Sequence, residues 1–465
     1  MIQQIFVGRQ EELKILNRFE KSRPGLFILY GRRRVGKTEL VKHFSSGKKA
    51  LYFLADERPD KENLKELQRI MGRFLGDGIF EKSDIRDWAE LFEEFVKRAG
   101  RKPVIIIDEF PYLIHSNRAI PSIFQKIWDL NLSKSDIFLI LLGSSISMVE
   151  NYILDYKSPL YGRRSGQLKL GPLRFKDLKE FLPEYPAEDL INVYGVTDGI
   201  PLYILKFERK KNFIENIKEH IFSRGEFLYQ ECEILLKEEF REIANYSLIL
   251  KAISFGRNRF GEIANFTGLD KTLISKYLDN LMNLHIIRKE FPVTETKELR
   301  NAWYLLEDNY FNFWFRFVYP NKSLIEEGRQ KELLDAIRND MNQYMSFIFE
   351  KVCKQFALDA LPVKLTKIGK WWYKDKEIDL VGLNEKTKEI IFIECKWAEN
   401  VNPKKAAEDL AKKAEFVGWN NGKRKENYCI IAKSFSEKPK LRNTFLFDIK
   451  DVEKWLVTAA SRPDL

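Results

Sequence analysis

A glycine-rich segment near the start of the chain has the residue types and spacing of a phosphate-binding loop. Gly31, Gly36, Lys37 and Thr38 fit the pattern Gly-x-x-x-x-Gly-Lys-Ser/Thr directly after an apolar run. Glycines let the backbone curl so that its N–H groups face phosphate oxygens, and the following helix adds the positive end of its dipole. We expect Lys37 to reach the β- and γ-phosphates and the Thr38 hydroxyl to bind Mg²⁺. The predicted phosphate-binding residues are Gly31, Arg32, Arg33, Arg34, Val35, Gly36, Lys37, Thr38 and Glu39.

Two acids follow a second apolar run, at 104–107. A continuous apolar run is typical of a strand that is buried on both faces of a parallel sheet. We expect Asp108 to hold Mg²⁺, directly or through water, and Glu109 to polarise the attacking water. The alternative is a strand that simply ends in solvated acids.

Polar and basic residues after a third apolar run, at 137–142, complete the predicted catalytic set. Ser144 lies at the tip of that predicted strand, where its hydroxyl can contact the γ-phosphate. Arg163 or Arg164 could stabilise the charge that develops during phosphoryl transfer. The alternative is that both arginines belong to a basic surface loop.

The order of these motifs resembles that of the archaeal-type P-loop ATPase family, which belongs to the AAA+/STAND group. The resemblance covers roughly the first half of the chain. It rests on the segments FVGRQEEL (6–13), the phosphate-binding loop, IIIDEF (105–110), LLGSS (141–145), LYGRR (160–164) and DGIPL (198–202). It implies ATP and ADP as ligands, with Gly8 and Arg9 near the base or ribose and Pro201 against the adenine. It also implies that Arg163 or Arg164 is the finger or sensor arginine. Members of the STAND group are often slow switches, so the resemblance implies nucleotide binding more firmly than fast turnover.

A middle segment resembles a winged helix-turn-helix. Three short helices are predicted at 246–255, 260–267 and 269–284, and the segments 286–290 and 303–306 can pair as a wing. The third helix would enter a major groove of DNA. The alternative is a packing module inside the ATPase. The exposed polar residues predicted on the third helix are Lys271, Thr272, Ser275 and Lys276.

Two carboxylates and a lysine near the end of the chain have the spacing of a metal-dependent phosphodiesterase site. Glu394 and Lys396 are two residues apart on one predicted strand, so both side chains point to the same face. Asp379 lies on a strand joined to it by a short turn. Two carboxylates on adjacent strands form an oxygen site for Mg²⁺, and a nearby lysine can activate water. Glu350, on the preceding helix, is a further candidate ligand.

This pattern resembles the PD-(D/E)xK nuclease superfamily over about residues 341–440. It also resembles the domain commonly fused to archaeal ATPases of this kind. The chain departs from the nuclease pattern because no proline precedes Asp379 and no QxxxY element follows. The alternative is a salt-bridged triad on an inert domain.

The composition limits the possible classes of protein. The 465 residues carry a net charge of +11, which is compatible with nucleic acid as a partner. Four scattered cysteines argue against a disulfide scaffold or zinc ribbon and favour a reducing, cytoplasmic compartment. No apolar run approaches the roughly 20 residues of a membrane-spanning helix, and no secretory signal is visible, so we expect no membrane partner.

The elements that position these residues form an α/β multidomain protein. We predict an ATP-dependent activity directed at nucleic acid, DNA being favoured, with possible metal-dependent DNA cleavage. Two alternatives are a nucleotide-gated switch with an inactive nuclease-like domain, and a DNA-binding regulator. A homo-oligomer is possible, and a hexameric ring, a dimer and a monomer all remain open. The predicted domains are a P-loop core with a parallel sheet (1–170), a helical lid (171–236), a winged helix (237–310), a helical connector (311–340) and a restriction-endonuclease-like domain (341–465).

Overall fold

The computed structural model describes residues 6–100, 103–295 and 302–460. The described chain forms two compact units. The first unit comprises the residues up to Leu173 together with Ile200–Leu202. The second comprises Arg174–Gly199 and the residues from Tyr203 onward.

The first unit contains a five-stranded parallel sheet with the strand order β2-β3-β4-β1-β5. Strands β1, β3 and β4 are buried at every position, as expected for a parallel sheet covered on both faces. Their carboxyl ends share one edge, so the residues that follow them are brought together. The strands are β1 (Gly25–Tyr30), β2 (Ala50–Leu54), β3 (Val104–Asp108), β4 (Phe138–Gly143) and β5 (Gly166–Lys169).

Helices flank this sheet and pack aromatic residues against it. Phe110 meets Phe124 edge-on, with ring centroids 4.9 Å apart, and Trp88 and Phe92 pack on the same ring. Apart from Lys37, the charged residues of these helices are at least partly exposed. The helices are α1 (Gln10–Lys21), α2 (Lys37–Ser45), α3 (Asp60–Leu75), α4 (Gly78–Lys82), α5 (Trp88–Arg98), α6 (Phe110–Ser116), α7 (Ile120–Leu130) and α8 (Ile146–Val149).

The first part of the second unit is mainly helical. Three of its helices and a two-stranded antiparallel ribbon lie within three residues of the segments that the sequence predicts. The helices are α9 (Leu178–Phe181), α10 (Ala187–Thr197), α11 (Pro201–Ile204, divided between the units), α12 (Phe213–His220), α13 (Phe227–Glu239), α14 (Ile243–Ser254), α15 (Phe260–Thr267) and α16 (Lys271–Asn283), and the ribbon strands are β6 (Ile287–Glu290) and β7 (Trp303–Leu306).

The remainder of the second unit contains a mixed sheet with the order β12-β11-β10-β9-β8. Strands β8, β9 and β10 are antiparallel neighbours, and β10, β11 and β12 are parallel. The elements are α17 (Asn309–Phe313), α18 (Lys322–Glu326), α19 (Gln330–Ala360), β8 (Lys367–Tyr373), β9 (Lys376–Asn384), β10 (Glu389–Lys396), α20 (Pro403–Ala414), β11 (Lys425–Ala432), β12 (Thr444–Phe447) and α21 (Ile449–Ala460).

Helix α19 crosses the predicted boundary between the connector (311–340) and the C-terminal domain (341–465). It begins at Gln330, inside the predicted connector, and its 31 residues continue without a break. Its first turns are rich in charged residues, so the apolar periodicity that reveals a helix becomes clear only further along. None of the described helices is long and apolar enough to cross a membrane.

Candidate functional site

The phosphate-binding loop connects β1 to α2, and two of its glycines have positive φ angles. Gly31 has a φ of 153°, and a Cβ atom added there would lie 2.3 Å from the Leu170 carbonyl oxygen. Gly36 has a φ of 94° and precedes the first residue of α2. Side chains are therefore disfavoured at both positions, which leaves the loop backbone accessible.

Lys37 is buried inside this loop. Its Nζ atom donates hydrogen bonds to the carbonyl oxygens of Gly31, at 2.8 Å, and Arg32, at 3.0 Å. Burial lowers the pKa of Lys37 to about 8, while the carboxylates of Glu109 and Asp108 oppose that shift. The Lys37 ammonium therefore lies within the loop. The charges of Glu109 and Asp108 offset only part of the effect of burial on its pKa.

Asp108 ends β3 and is almost completely buried, with 2% of its surface exposed. Its Oδ2 atom accepts hydrogen bonds from the Thr38 hydroxyl and the Tyr52 hydroxyl, each at 2.7 Å. Its Oδ1 atom accepts from the backbone N–H of Glu109 at 2.9 Å. The structure therefore brings together two residues that the sequence predicts as a metal site.

Tyr52 was not predicted as part of this site. It lies on β2, which is hydrogen-bonded to β3, and burial together with Asp108 raises its pKa. The sequence signal was weak, because Tyr52 reads as one apolar residue in a short strand. Only the strand order reveals that its hydroxyl reaches Asp108.

Glu109 adopts a left-handed backbone conformation, with a φ of 53°, at the start of α6. Its carboxylate accepts a hydrogen bond from the Ser144 hydroxyl and another from the Ser144 backbone N–H, the latter at 3.3 Å. Such a conformation is costly for a residue other than glycine, and it is found most often at functional sites. The ends of β3 and β4 thus join Glu109 to Ser144.

Arg9 and Pro201 both lie against the phosphate-binding loop. The Arg9 guanidinium donates to the carbonyl oxygens of Val35, at 3.0 Å, and Gly171, at 2.7 Å. Gly8, beside it, has a φ of 65°. The Pro201 Cγ atom lies 3.8 Å from the Cβ position of Gly36. The FVGRQEEL and DGIPL segments therefore converge on one loop.

Three other predicted residues of the first unit have partners outside the phosphate-binding loop. Arg163 pairs with both carboxylate oxygens of Asp129, at 3.2 and 3.0 Å. The Arg164 guanidinium lies 4.5 Å from the Tyr161 ring centroid. Glu39 pairs with Lys42 at 3.1 Å. The finger or sensor role of the two arginines stays a prediction.

Asp379 and Glu394 lie on neighbouring strands of the second unit, but they have different partners. Asp379 accepts a hydrogen bond from the Cys395 backbone N–H at 2.7 Å. Burial and the charge of Glu394 raise the pKa of Asp379 to about 6. Glu394 is 5% exposed and accepts from Lys396 at 2.6 Å and from Lys413, through both oxygens, at 3.0 Å.

Lys413 was missed because it lies on α20, outside the strand pattern. The available signal was helical spacing: Lys413 lies three residues after the apolar Leu410, which is buried, so the two side chains share one side of the helix. Burial lowers the pKa of Lys396, but the hydrogen bond and charge of Glu394 outweigh it, so the net shift is upward.

Glu350 is paired with a lysine and lies in a different cavity from Glu394. Its carboxylate forms an ion pair with Lys370 at 2.9 Å, and Lys370 also pairs with Glu377. Burial raises the pKa of Glu350 to about 8 against the effect of Lys370. Glu350 and Asp379 line one cavity of about 40 Å³, whereas Glu394 lines another.

The three carboxylates do not form a compact ligand group. Within the described part of the chain, the only three acid or imidazole groups within 4.8 Å of one another are those of Glu208, Glu219 and His220. Lys211 pairs with both glutamates of that group.

Comparison with known proteins identifies the family of the chain. Residues 6–207 match a family described as an ATPase domain predominantly from Archaea. An uncharacterised protein of Methanocaldococcus jannaschii is 39% identical over 455 residues, which is 96% of this chain and 100% of that protein. The chain belongs to this family of ATPases. Residues 314–409 of the ATPase match a second family, described as archaeal and bacterial proteins of unknown function.

Two further similarities cover parts of this ATPase. An uncharacterised ATP-binding protein of the same organism is 54% identical over 46 residues, which is 10% of the ATPase and 78% of that protein. A Walker-type ATPase of Pyrococcus abyssi has the same fold over 67% of the ATPase and 97% of its own chain, with a TM-score of 0.52 at 20% identity. The predicted ATPase activity and ATP or ADP binding are thus confirmed, as is the separate C-terminal sheet.

Proposed function

We propose that this ATPase hydrolyses ATP with Mg²⁺ held by Thr38 and Asp108, and that the cycle controls metal-dependent cleavage of DNA by the C-terminal sheet. The observation that carries the proposal is the 2.7 Å hydrogen bond between the Thr38 hydroxyl and the Asp108 carboxylate. It joins the end of the phosphate-binding loop to Asp108, the last residue of β3.

The donor set around Asp108 fits Mg²⁺. The ion prefers oxygen ligands and usually binds through one or two protein groups, keeping the rest of its shell for water and phosphate. Thr38 supplies a hydroxyl and Asp108 a carboxylate from neighbouring elements. When bound, Mg²⁺ would neutralise the charge that develops on the phosphate oxygens.

The residues around the loop would divide the remaining work. The Lys37 ammonium would exchange its carbonyl partners for the β- and γ-phosphates, and the loop amides would bind the same oxygens. Glu109 would accept a hydrogen bond from the attacking water, while Ser144 fixes the carboxylate. Arg9 and Pro201 would border the base or ribose, as the family resemblance implies.

The topology of the C-terminal sheet supports a nuclease-like interpretation. Three antiparallel strands are followed by α20 and a strand parallel to β10, and the candidate residues lie on β9 and β10. Asp379 and Glu394 would bind the metal, and Lys396 would orient water or stabilise charge on the phosphate. Glu350 would contribute after release from Lys370.

The helices α14–α16 and the β6–β7 ribbon support a winged helix-turn-helix that binds DNA. The polar residues that the sequence predicts on α16 are exposed: Lys271, Thr272, Ser275 and Lys276. Cationic residues on one helix face favour the phosphate backbone of a duplex.

Phosphate release from ATP tests the first half of the proposal. We expect Lys37→Ala to abolish hydrolysis because the buried cation is lost. Lys42→Ala, on the exposed face of the same helix, should hydrolyse ATP like the wild type. Equal rates for wild type and Lys37→Ala would reject the assigned nucleotide site.

Cleavage of labelled DNA in the presence of Mg²⁺ tests the second half. We expect Lys396→Ala to lose at least tenfold in rate and Asp379→Asn to lose more, because the metal-binding carboxylate is removed. Wild type and Lys396→Ala cutting alike would refute the nuclease assignment.

A second candidate function is a nucleotide-gated switch with an inert C-terminal domain. It is favoured by the charge balance at Glu394, which Lys396 and Lys413 already neutralise without a metal ion. Calorimetry separates the two functions. The switch requires that ADP stays tightly bound and that the heat of Mg²⁺ binding is the same with and without Glu394. The nuclease requires a heat of Mg²⁺ binding that is lost when Glu394 is replaced.

A further inference from the structure

A cavity of about 620 Å³ opens between the strands β9 and β10 and the helix α20. This volume lies within the range of small-molecule and nucleotide sites. Its floor contains the buried Glu394. Its walls carry both signs of charge, with lysines from three different elements and three further carboxylates. The lining residues are Asp375, Lys376, Glu377, Glu394, Lys396, Asp409, Lys412, Lys413 and Phe416.

Two lysines approach the floor from opposite elements. Lys396 reaches Glu394 from the end of β10, and Lys413 reaches it from α20. A divalent cation on Glu394 would compete with both ammonium groups for the same oxygens. The released ammonium groups would then be close enough to bind a phosphate on that cation. A phosphate group forms its strongest hydrogen bonds with cationic donors such as these.

An aromatic ring lines the same cavity. Phe416 follows α20 and is 51% exposed. The Lys376 ammonium lies 5.9 Å from its ring centroid. Exposed aromatic rings beside cations are the surfaces on which unpaired bases stack. A base inside a duplex already has neighbours on both faces, so stacking of this kind selects a single strand.

We propose that this cavity binds single-stranded nucleic acid, with one phosphate held by Lys396 and Lys413 and the adjoining base stacked on Phe416. The inference rests on the proposed nucleic-acid-directed function and narrows its substrate class. Lys413 is the phosphate anchor supplied by the helix, and Phe416 is the base platform.

Fluorescence anisotropy of the full chain with labelled oligonucleotides tests the proposal. Binding is measured with a DNA strand, the matching RNA strand and the DNA duplex, in Ca²⁺ over a series of salt concentrations. We expect Phe416→Ala to bind the single strands about tenfold more weakly, with an unchanged salt slope, because stacking is lost. We expect Lys413→Ala to reduce the salt slope for single strands by about 0.7, because one phosphate contact is lost.

Matched variants separate these effects from general damage. Tyr156→Ala removes an exposed ring in the other unit, and Lys404→Ala removes an exposed cation from the same helix; both should bind like the wild type. Lys413→Arg keeps the charge and should restore the salt slope. Circular dichroism must show the same helix content for every variant.

The outcomes distinguish this proposal from the proposed function. Unchanged single-strand binding by Phe416→Ala and Lys413→Ala would overturn the cavity assignment, and so would an equal loss for strand and duplex in Phe416→Ala. Duplex binding without single-strand binding would also overturn it, while leaving a DNA-directed function intact. The absence of binding to any of the three probes would reject both.

Discussion

Replacing Tyr52, a residue of β2, with phenylalanine removes one hydroxyl and keeps the aromatic ring. The hydroxyl donates to Asp108 at 2.7 Å, and the carboxylate has 2% of its surface exposed. A hydrogen bond to a charged group contributes about 1.5–3 kcal/mol. Because Tyr52 itself is only half-buried, we expect the variant to lose about 2 kcal/mol of unfolding free energy.

The same hydroxyl should also affect hydrolysis. Asp108 accepts from Thr38 and Tyr52 through one oxygen, so losing Tyr52 lets the carboxylate rotate away from Thr38. A displacement of this kind in a metal-binding group commonly costs tenfold or more in affinity or activity. We therefore expect a kcat about tenfold below that of the wild type, with a higher Mg²⁺ requirement.

Urea unfolding followed by circular dichroism and a phosphate-release assay measure the two effects. Tyr156→Phe is the matched control, because its side chain is 71% exposed and should change stability by less than about 0.5 kcal/mol. A Tyr52→Phe protein with the unfolding midpoint and the Mg²⁺ dependence of that control would refute the role assigned to Tyr52.

Three other expectations concern the phosphate-binding loop, Asp379 and the metal. Gly31→Ala should lower the thermal midpoint and abolish ATP binding, because its Cβ would collide with the Leu170 carbonyl, whereas Gly162→Ala, with no heavy atom within 4 Å of its Cβ, should unfold like the wild type. The pKa of Asp379 is raised to about 6, so the folded protein binds more protons than the unfolded chain between about pH 4 and 6. Unfolding free energy from urea titrations should therefore fall as pH rises through that window, and Asp379→Asn should abolish this contribution. Chelation with EDTA should stop phosphate release, and added Mg²⁺ should restore it.

The sequence predicts the first unit well because its signals are local. The apolar runs at 104–107 and 137–142 placed β3 and β4 within one residue of their observed ends, and the glycine pattern placed the phosphate-binding loop between β1 and α2. Burial of a parallel sheet on both faces requires such runs, so they identify strands without knowledge of their neighbours. The order of the strands in the sheet, by contrast, cannot be predicted from any single segment.

Contacts between distant segments explain what the sequence missed. Tyr52 reaches Asp108 only because β2 lies beside β3, and Lys413 reaches Glu394 only because α20 crosses the sheet. The ion pair between Glu350 and Lys370 also joins distant segments and was not foreseen, while the ligand role of Glu350 stays a prediction. Such pairings depend on which side chains meet across the core.

Helix α19 fixes a distance within the second unit. The Tyr344 hydroxyl lies 2.5 Å from the Gly195 carbonyl of α10, and a Cβ on Gly195 would meet Met345 and Ile348 at 3.1–3.3 Å. Glu350 lies less than two turns further along the same helix. A one-residue insertion between Tyr344 and Glu350 would rotate the carboxylate by about 100° and shift it by about 1.5 Å. The position of the Glu350 carboxylate relative to the α10 contact therefore depends on the number of residues in α19 between them.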